Sequence, residues 1–137
     1  MASNSGKPSE LTFVETMESK PKTKVFRLRD AADLYGLNKK KVATFGLPSD
    51  FIVVSGGHMF FAEVKSTQNK TSFSLDALTP SQKAACIITT ACGGDYRIYI
   101  HNLNTDTWYL MTGTEYVMYK KSVKSIKWND LCPISLT

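Results

Sequence analysis

Three charged side chains interrupt apolar segments in the middle of the sequence. Asp50 stands directly before the run FIVV, and Glu63 and Lys65 lie at the end of the run MFFAEVK. Carboxylates are common ligands of Mg²⁺, and a lysine beside them can stabilise negative charge that develops on a phosphate. If folding brings the three side chains together, the chain carries the groups that metal-dependent phosphodiester hydrolysis requires.

Two glycines between the apolar runs determine how these side chains meet. Gly56 and Gly57 suit the positive backbone dihedrals of a two-residue turn, so the flanking runs are predicted to form an antiparallel hairpin. In that register Asp50 faces Glu63, and directly opposed residues have Cβ atoms about 4.5 to 5.5 Å apart on one face. Lys65 lies two residues beyond Glu63 and therefore shares its face.

The predicted pairing places two like charges side by side, which destabilises a sheet unless a cation lies between them. Mg²⁺ is commonly held by one or two carboxylates, with water and phosphate oxygens completing its octahedron. The structural alternative is that Asp50 is a turn residue and that Glu63 and Lys65 form the solvated face of an edge strand. The pattern of residues alone leaves both interpretations open.

The N-terminal third is predicted to place a helix and a strand around this hairpin. Pro8 suits a first helical turn, and a short helix is expected from about residue 8 to 19. The segment KVFRLRD alternates like a strand with one buried face. Residues 31 to 49 contain two glycines, Pro48 and three consecutive lysines, and are predicted to form a long loop. Loops of this length tend to be functional, and a solvated charge run is the alternative for each single lysine.

The second half is predicted to add a helix and another hairpin. The segment STQNKTSFSLDAL is polar and is expected to be irregular. In TPSQ, Thr79 suits an N-cap and Gln82 the matching position of a capping box, so a helix should start here and stop at Gly93. YRIYIHNL and TWYLMTG are predicted to pair, and TEYVMYKKS to be helical. This order describes an α/β fold with a mixed sheet flanked by helices.

Length and charge restrict the class of protein. At 137 residues the chain is expected to form a single domain over residues 1–137, with residues 1–7 flexible. The net charge of +5 favours an anionic partner such as nucleic acid. The apolar runs are too short to cross a bilayer core of about 30 Å, and the polar start is no signal peptide. An intracellular protein with no membrane partner is therefore expected.

Cysteines and histidines predict no second reactive centre. Cys86, Cys92 and Cys132 show neither a CxxC motif nor a histidine at metal-ligand spacing, so buried free thiols are expected. His58 and His101 have no nucleophile pattern beside them and are predicted to be structural. Four aromatic residues of the second hairpin are expected to be sheet residues, with a base-stacking platform as the alternative. They are Tyr96, Tyr99, Trp108 and Tyr109.

The hairpin segment PSDFIVVSGGHMFFAEVKS resembles the PD-(D/E)XK nuclease superfamily. The wider pattern resembles RecU-like and phage-type Holliday-junction resolvases, through GKPSELTF, VFRLRDAADLYG, EVKSTQNKTSFSLDAL and TPSQ. The resemblance extends from residue 6 to about residue 112. It implies a restriction-endonuclease-like fold with an αβββαβ core. It also implies a Mg²⁺-dependent endonuclease, with Mn²⁺ as a substitute, that acts as a homodimer on four-way DNA junctions.

The resemblance assigns roles to individual residues. Asp50 and Glu63 would be metal ligands together with the main-chain carbonyl of Val64, and Lys65 would orient or deprotonate the attacking water. Recombination or repair in the cytoplasm of a bacterium or of a phage-infected host would be the setting. A nuclease of this superfamily with another DNA target, or a silent DNA-binding module of the same fold, are the alternatives. The intact carboxylate pair and lysine argue against the silent module.

Two further positions follow from the resemblance. Glu10 would complete the acidic cluster from the N-terminal helix, although Ser9 stands where the family commonly has an apolar residue, so Glu15 and Glu18 remain alternatives. Gln82 would lie near the site, on the helix that follows the hairpin. The segment after Leu110 has no counterpart in the resemblance.

Six basic residues are expected to contact DNA: Arg27, Arg29, Lys39, Lys40, Lys41 and Lys70.

Overall fold

The computed structural model describes residues 6–28 and 46–136. The described chain contains three α-helices and eight strands, joined by two single turns of 3₁₀ helix. The helices are α1 (Gly6–Glu18), α2 (Pro80–Ala91) and α3 (Gly113–Lys120). The strands are β1 (Thr23–Arg27), β2 (Phe51–Ser55), β3 (His58–Thr67), β4 (Ser72–Ser74), β5 (Tyr96–Asn102), β6 (Thr107–Thr112), β7 (Ser125–Lys127) and β8 (Cys132–Ile134).

Six of the strands form a mixed sheet in the order β1, β2, β3, β5, β6, β8. All neighbours are antiparallel except β3 and β5, which run parallel because the chain between them crosses over through β4 and α2. Strand β3 is therefore paired on both sides and lies inside the sheet. Strands β4 and β7 form a separate two-stranded sheet.

Each face of the large sheet is covered by helices, and each has its own hydrophobic core. Helix α1 packs on one face, where Phe13 lies 4.7 Å from the ring of Tyr99 and stacks on Phe51. Helices α2 and α3 cover the opposite face, where Cys86 and Tyr116 are buried against the sheet. Side chains alternate between the two faces along each strand, so the parity of a strand residue determines which core it joins.

Local sequence signals explain where α2 and α3 begin. The hydroxyl of Thr79 accepts a hydrogen bond from the amide of Gln82, whose side chain in turn accepts one from the amide of Thr79. This capping box is the one that TPSQ predicted. Thr112 and Glu115 form a second capping box at the start of α3. The segment TEYVMYKKS predicts this helix, whereas the cap residue Thr112 lies outside that segment.

Three expectations about the chain need correction. Residues 66–78, expected to be irregular, contain β4 and a 3₁₀ turn, because Ser72–Ser74 find pairing partners far along the chain in β7. Strand β8 was not predicted. Of the three free cysteines only Cys86 is buried, whereas Cys92 and Cys132 are exposed.

Within residues 6–28 and 46–136, no helix has the length and apolar character needed to span a bilayer.

Candidate active site

The hairpin of β2 and β3 has the predicted register. Gly56 and Gly57 form the turn with φ of 56° and 84°, in the left-handed region that glycine adopts without a steric penalty. Ser55 pairs with His58 and Phe51 with Ala62. Continuing this ladder by one residue places Asp50 opposite Glu63, as the two glycines predicted.

Two hydrogen bonds join Asp50 to the strand that carries Glu63. The main-chain amide of Asp50 donates to Oε1 of Glu63 over 2.9 Å, and Oδ2 of Asp50 accepts from the main-chain amide of Val64 over 3.1 Å. Each carboxylate is thus held by the backbone of the opposite strand. Because Asp50 has the same parity as Ile52, which pairs with Phe61, both carboxylates lie on the face that α2 and α3 cover.

Glu63 occupies an unfavourable position for a charged group. Its side chain is 1% exposed, in a strand that is paired on both sides. Burial, followed by the charge of Asp50, raises the pKa of Glu63 from 4.5 to about 8, and Lys65 acts in the opposite direction. Nζ of Lys65 lies 3.2 Å from Oε2 of Glu63 and its side chain is 21% exposed, so the ammonium group reaches both the carboxylate and solvent.

The donor set fits a hard divalent cation. The N–H and C=O of one strand residue point to the same side, so the carbonyl of Val64 is directed towards Asp50 as its amide is. No group of three or more His, Cys, Asp or Glu side chains in the described chain could hold a metal ion. The protein would therefore offer two carboxylates and one carbonyl, an all-oxygen set that suits Mg²⁺, which retains several waters.

Glu10 lies apart from the carboxylate pair. Its Oε1 forms an ion pair of 2.9 Å with Arg27, and the guanidinium of Arg27 also lies 4.8 Å from the ring centre of Phe51. Helix α1 packs on the face opposite to Glu63, so the expected cluster of three acidic side chains is not formed by the described residues. Glu15 and Glu18, the two alternatives for the third acid, do not join the carboxylate pair either. Glu15 is exposed and Glu18 pairs with Lys24.

The other predicted site residues have varied placements. Oε1 of Gln82 is engaged in the capping box of α2, and no hydrogen bond joins its side chain to the carboxylate pair in the described structure. Arg27 is committed to Glu10. Lys70 is exposed on the loop after β3. Arg29, Lys39, Lys40 and Lys41 lie outside the described residues.

Tyr96 contributes a contact that the sequence did not reveal. Its hydroxyl donates a 2.5 Å hydrogen bond to the carbonyl of Pro48, two residues before Asp50. The tyrosine is 1% exposed, and burial raises the pKa of its hydroxyl. The hydroxyl of Ser49, also buried, donates to the carbonyl of Phe51. These bonds fix the backbone that leads into Asp50. The Tyr96 bond joins residues 48 positions apart, and no local pattern could have indicated it.

His101 belongs to a hydrogen-bonded chain of a serine, a histidine and an aspartate. Oγ of Ser9 lies 2.8 Å from Nδ1 of His101, and Nε2 of His101 lies 2.7 Å from Oδ1 of Asp106. The imidazole also stacks on Trp108 at 4.4 Å. Ser9 is 1% exposed, so its hydroxyl is closed to a substrate. We interpret this series of hydrogen bonds as an anchor that holds α1 on the sheet, and the structural role of His101 stays a prediction.

Comparison with known proteins supports the fold. Among solved structures, the chain is similar to Hjc from Archaeoglobus fulgidus, a Holliday junction resolvase from an archaeal hyperthermophile. The sequence identity is 15% and the TM-score 0.52, over 89% of this chain and 81% of Hjc. No protein-family model and no curated protein matches the sequence. The chain therefore has the fold of Hjc, a mixed sheet flanked by helices of the restriction-endonuclease-like type.

Proposed function

We propose that the protein is a Mg²⁺-dependent endonuclease that cuts branched DNA, with four-way junctions in the cytoplasm as its substrate. The observation that carries the proposal is the opposed pair of Asp50 and Glu63, interlocked by hydrogen bonds on a buried strand. Two carboxylates so placed are costly without a cation. The fold of Hjc supports a nuclease, and the net charge of +5 is consistent with a DNA substrate.

The chain's own residues supply positioning and charge. Asp50, Glu63 and the carbonyl of Val64 would hold the cation. When bound, Mg²⁺ lowers the pKa of a coordinated water and offsets negative charge on the scissile phosphate. Lys65, whose ammonium lies beside Glu63 and reaches solvent, would orient the attacking water and donate to a phosphate oxygen. Tyr96 holds the segment before Asp50 in place and acts as a positioning residue.

We also propose that two copies act together. Resolving a four-way junction without leaving flaps requires two symmetrical cuts, whereas the described chain has one pair of opposed carboxylates. A homodimer with two-fold symmetry supplies the second site in the matching orientation. Light scattering after gel filtration is expected to give twice the mass of one chain. A fully active protein that is strictly monomeric at assay concentration would contradict this part of the proposal.

A cleavage comparison tests the proposed function. A labelled four-way junction and a linear duplex of the same sequence are incubated with protein in Mg²⁺, in Mn²⁺ and in a chelator. We expect cuts in the junction only, in either metal, and none in the chelator. The variant Lys65→Met removes the ammonium while retaining most of the side-chain stem, and is expected to lose at least about 100-fold in rate.

The matched control is Lys22→Met. Lys22 is exposed and directly precedes β1, and its carbonyl accepts from the amide of Gly56 in the turn between β2 and β3. The control should cut at the parent rate. Equal cutting of junction and duplex would refute junction selectivity. The protein would then be interpreted as a nuclease that acts on another DNA target. Failure to cut any DNA in either metal would refute the nuclease and favour a silent DNA-binding module.

A further inference from the structure

A pocket of about 330 Å³ lies where the loop after β3 meets the end of β7. It is lined by Lys70, Thr71, Lys127, Trp128 and Asn129. Trp128 and its neighbours belong to the segment after Leu110, which has no counterpart in the family pattern. The pocket combines two basic side chains with an indole ring, the two kinds of group with which proteins hold a nucleotide strand.

The indole ring is held in a fixed orientation. Nε1 of Trp128 donates to the main-chain carbonyl of Asn69 over 3.0 Å. One face of the ring stacks on Tyr109, with ring centres 5.1 Å apart and planes 29° from parallel. Tyr109 is itself part of the buried core. The wall that Trp128 provides is therefore anchored to the large sheet.

The loop that carries Lys70 is also organised. Oδ1 of Asn69 accepts hydrogen bonds from the amides of Thr71 and Ser72 and from the hydroxyl of Thr71, each within 3.1 Å. On the other side of the pocket, Lys127 is fixed by strand pairing opposite Ser72. The backbone on both sides of the pocket is thus determined before any ligand arrives, which lowers the entropic cost of binding.

Both lysines are available to an anion. Lys70 and Lys127 are exposed, and neither forms an ion pair within the described parts of the chain. By contrast, Lys83 is paired with Asp76 at 2.7 Å and Lys24 with Glu18 at 3.0 Å. The pocket therefore has two positive charges that no carboxylate in the described structure neutralises by direct contact.

The pocket lies on the same face of the sheet as the candidate active site. Lys65 pairs with Ile100 on β5, and Ile100 pairs with Tyr109 on β6, so the three residues form one row across the sheet. Adjacent strands are about 4.8 Å apart, which places Tyr109 about 10 Å from Lys65. Trp128 stacks on that tyrosine. A DNA strand with one phosphate at Lys65 can therefore reach the pocket within a few nucleotides.

We propose that this pocket binds a nucleotide of the DNA strand that is being cut, on one side of the scissile bond. Lys70 and Lys127 contact its phosphates, and Trp128 packs against the base of a nucleotide that is unstacked at the branch point. This inference rests on the proposed function and extends it, because it assigns strand binding to the segment that the family pattern lacks.

Affinity measurements in a non-cutting background test the pocket. The Asp50→Asn protein is titrated with a labelled four-way junction at several salt concentrations, alone and combined with Lys127→Glu or Lys70→Glu. Each charge reversal is expected to weaken binding about tenfold or more at low salt and to reduce the slope of log affinity against log salt by about one. Lys22→Glu makes the same charge change before β1, beside the turn between β2 and β3, and should have little effect.

The aromatic wall is tested separately. Trp128→Leu is expected to weaken junction binding by about 5-fold or more, whereas Trp128→Phe retains a ring and should lose less. Circular dichroism and thermal melting verify that each variant is folded, and the exposed lysine variants test the pocket independently of the core. Lysine variants that bind as tightly as Lys22→Glu, while the parent binds and cuts junctions, would overturn the pocket alone. A parent that binds no DNA would overturn both proposals.

Discussion

The main-chain amide of Asp50 donates to the carboxylate of Glu63, while the carboxylate of Asp50 accepts from the amide of Val64. Two acidic side chains are thereby held in place by the main chain. Fixing them in advance removes the ordering cost that flexible carboxylates would impose on metal binding. The same contacts require that at least one carboxylate tolerate an unfavourable environment, and Glu63, with its raised pKa, is that group.

Replacing Asp50 by asparagine should separate cleavage from folding. In Asp50→Asn the amide oxygen can still accept from Val64, but the side chain no longer provides an anionic ligand. We expect junction cleavage in Mg²⁺ to fall at least about 100-fold while junction affinity changes little. Without metal and above about pH 8, where Glu63 is ionised, the free energy of unfolding should rise by up to about 1 kcal/mol because the repulsion with Glu63 is removed.

The matched control for this variant is Asp76→Asn, at an exposed aspartate that pairs with Lys83. It should cut junctions at the parent rate and keep nearly the parent stability, because an exposed ion pair is screened by solvent. Cleavage assays and urea unfolding curves measure both quantities. Full activity of the Asp50 variant would remove this residue from the catalytic machinery.

The raised pKa of Glu63 predicts a pH-dependent stability in the absence of metal. The native protein keeps a proton on Glu63 up to about pH 8, whereas the unfolded chain releases it near pH 4.5. The folded state therefore binds more protons between these values, and the free energy of unfolding falls as pH rises through this range. The contribution is complete below about pH 4.5 and lost above about pH 8, and amounts to at most about 5 kcal/mol.

Glu63→Gln carries no titrating group at this position, so its unfolding free energy should lack that decline. Urea unfolding of both proteins from pH 4 to pH 9 in a chelator measures the difference, which should grow with pH. Added Mg²⁺ should recover stability at pH 9 in the parent and much less in the variant, because a ligand stabilises only the state that binds it. Parallel pH profiles for the two proteins would contradict this assignment.

Tyr96 should influence the site through Pro48. Tyr96→Phe leaves the carbonyl of Pro48 without its buried donor, at a cost of about 1 to 2 kcal/mol in stability. Because Asp50 follows two residues later, we expect junction cleavage to fall about tenfold at saturating DNA, with binding preserved. Thermal unfolding and single-turnover cleavage measure the two effects.

Tyr116→Phe is the matched control. Tyr116 is equally buried, on α3, and its hydroxyl makes no hydrogen bond to any described residue. This variant should retain parent activity and stability within about 0.5 kcal/mol. If both tyrosine variants reduced cleavage equally, the effect of Tyr96→Phe would be attributed to poorer core packing and not to the lost hydrogen bond with Pro48.

The hydrogen bonds that link Ser9, His101 and Asp106 are expected to stabilise the fold and to have no role in cleavage. Ser9→Ala removes a buried hydrogen bond to the imidazole and is expected to cost about 1 to 2 kcal/mol of stability. Junction cleavage should stay within about twofold of the parent, because the hydroxyl is not accessible to a substrate. Ser19→Ala, in the exposed turn after α1, serves as control and should change stability by less than about 0.5 kcal/mol. Abolished cleavage with normal stability would instead indicate a nucleophile.

The central hairpin could be predicted because its determinants are local. Two glycines specify the turn, the turn specifies the register, and the register places Asp50 opposite Glu63. The capping box of α2 is equally local, since Thr79 and Gln82 satisfy each other within one helical turn. Predictions of this kind require no knowledge of which strands meet later in the chain.

Contacts between distant segments could not be predicted from the sequence, because their determinants are not local. The pairing of β4 with β7 joins segments about fifty residues apart. Each strand is too short for an alternation of apolar and polar residues to be recognised in the sequence. Glu10 was expected at the carboxylate pair from resemblance alone, yet the face on which α1 packs directs it to Arg27. Packing of a helix on one of two faces depends on the whole sheet, which local patterns do not encode.

The two-residue turn between β2 and β3 has a consequence for how this site can vary over evolution. Asp50 and Glu63 are 13 positions apart, and the turn converts that interval into direct opposition. The apolar residues between them can be exchanged for others of similar size. Slipping the pairing by a single position would set the aspartate against an aliphatic neighbour instead. The number of residues between Asp50 and Glu63 must therefore be kept during evolution, as must the two acidic residues themselves.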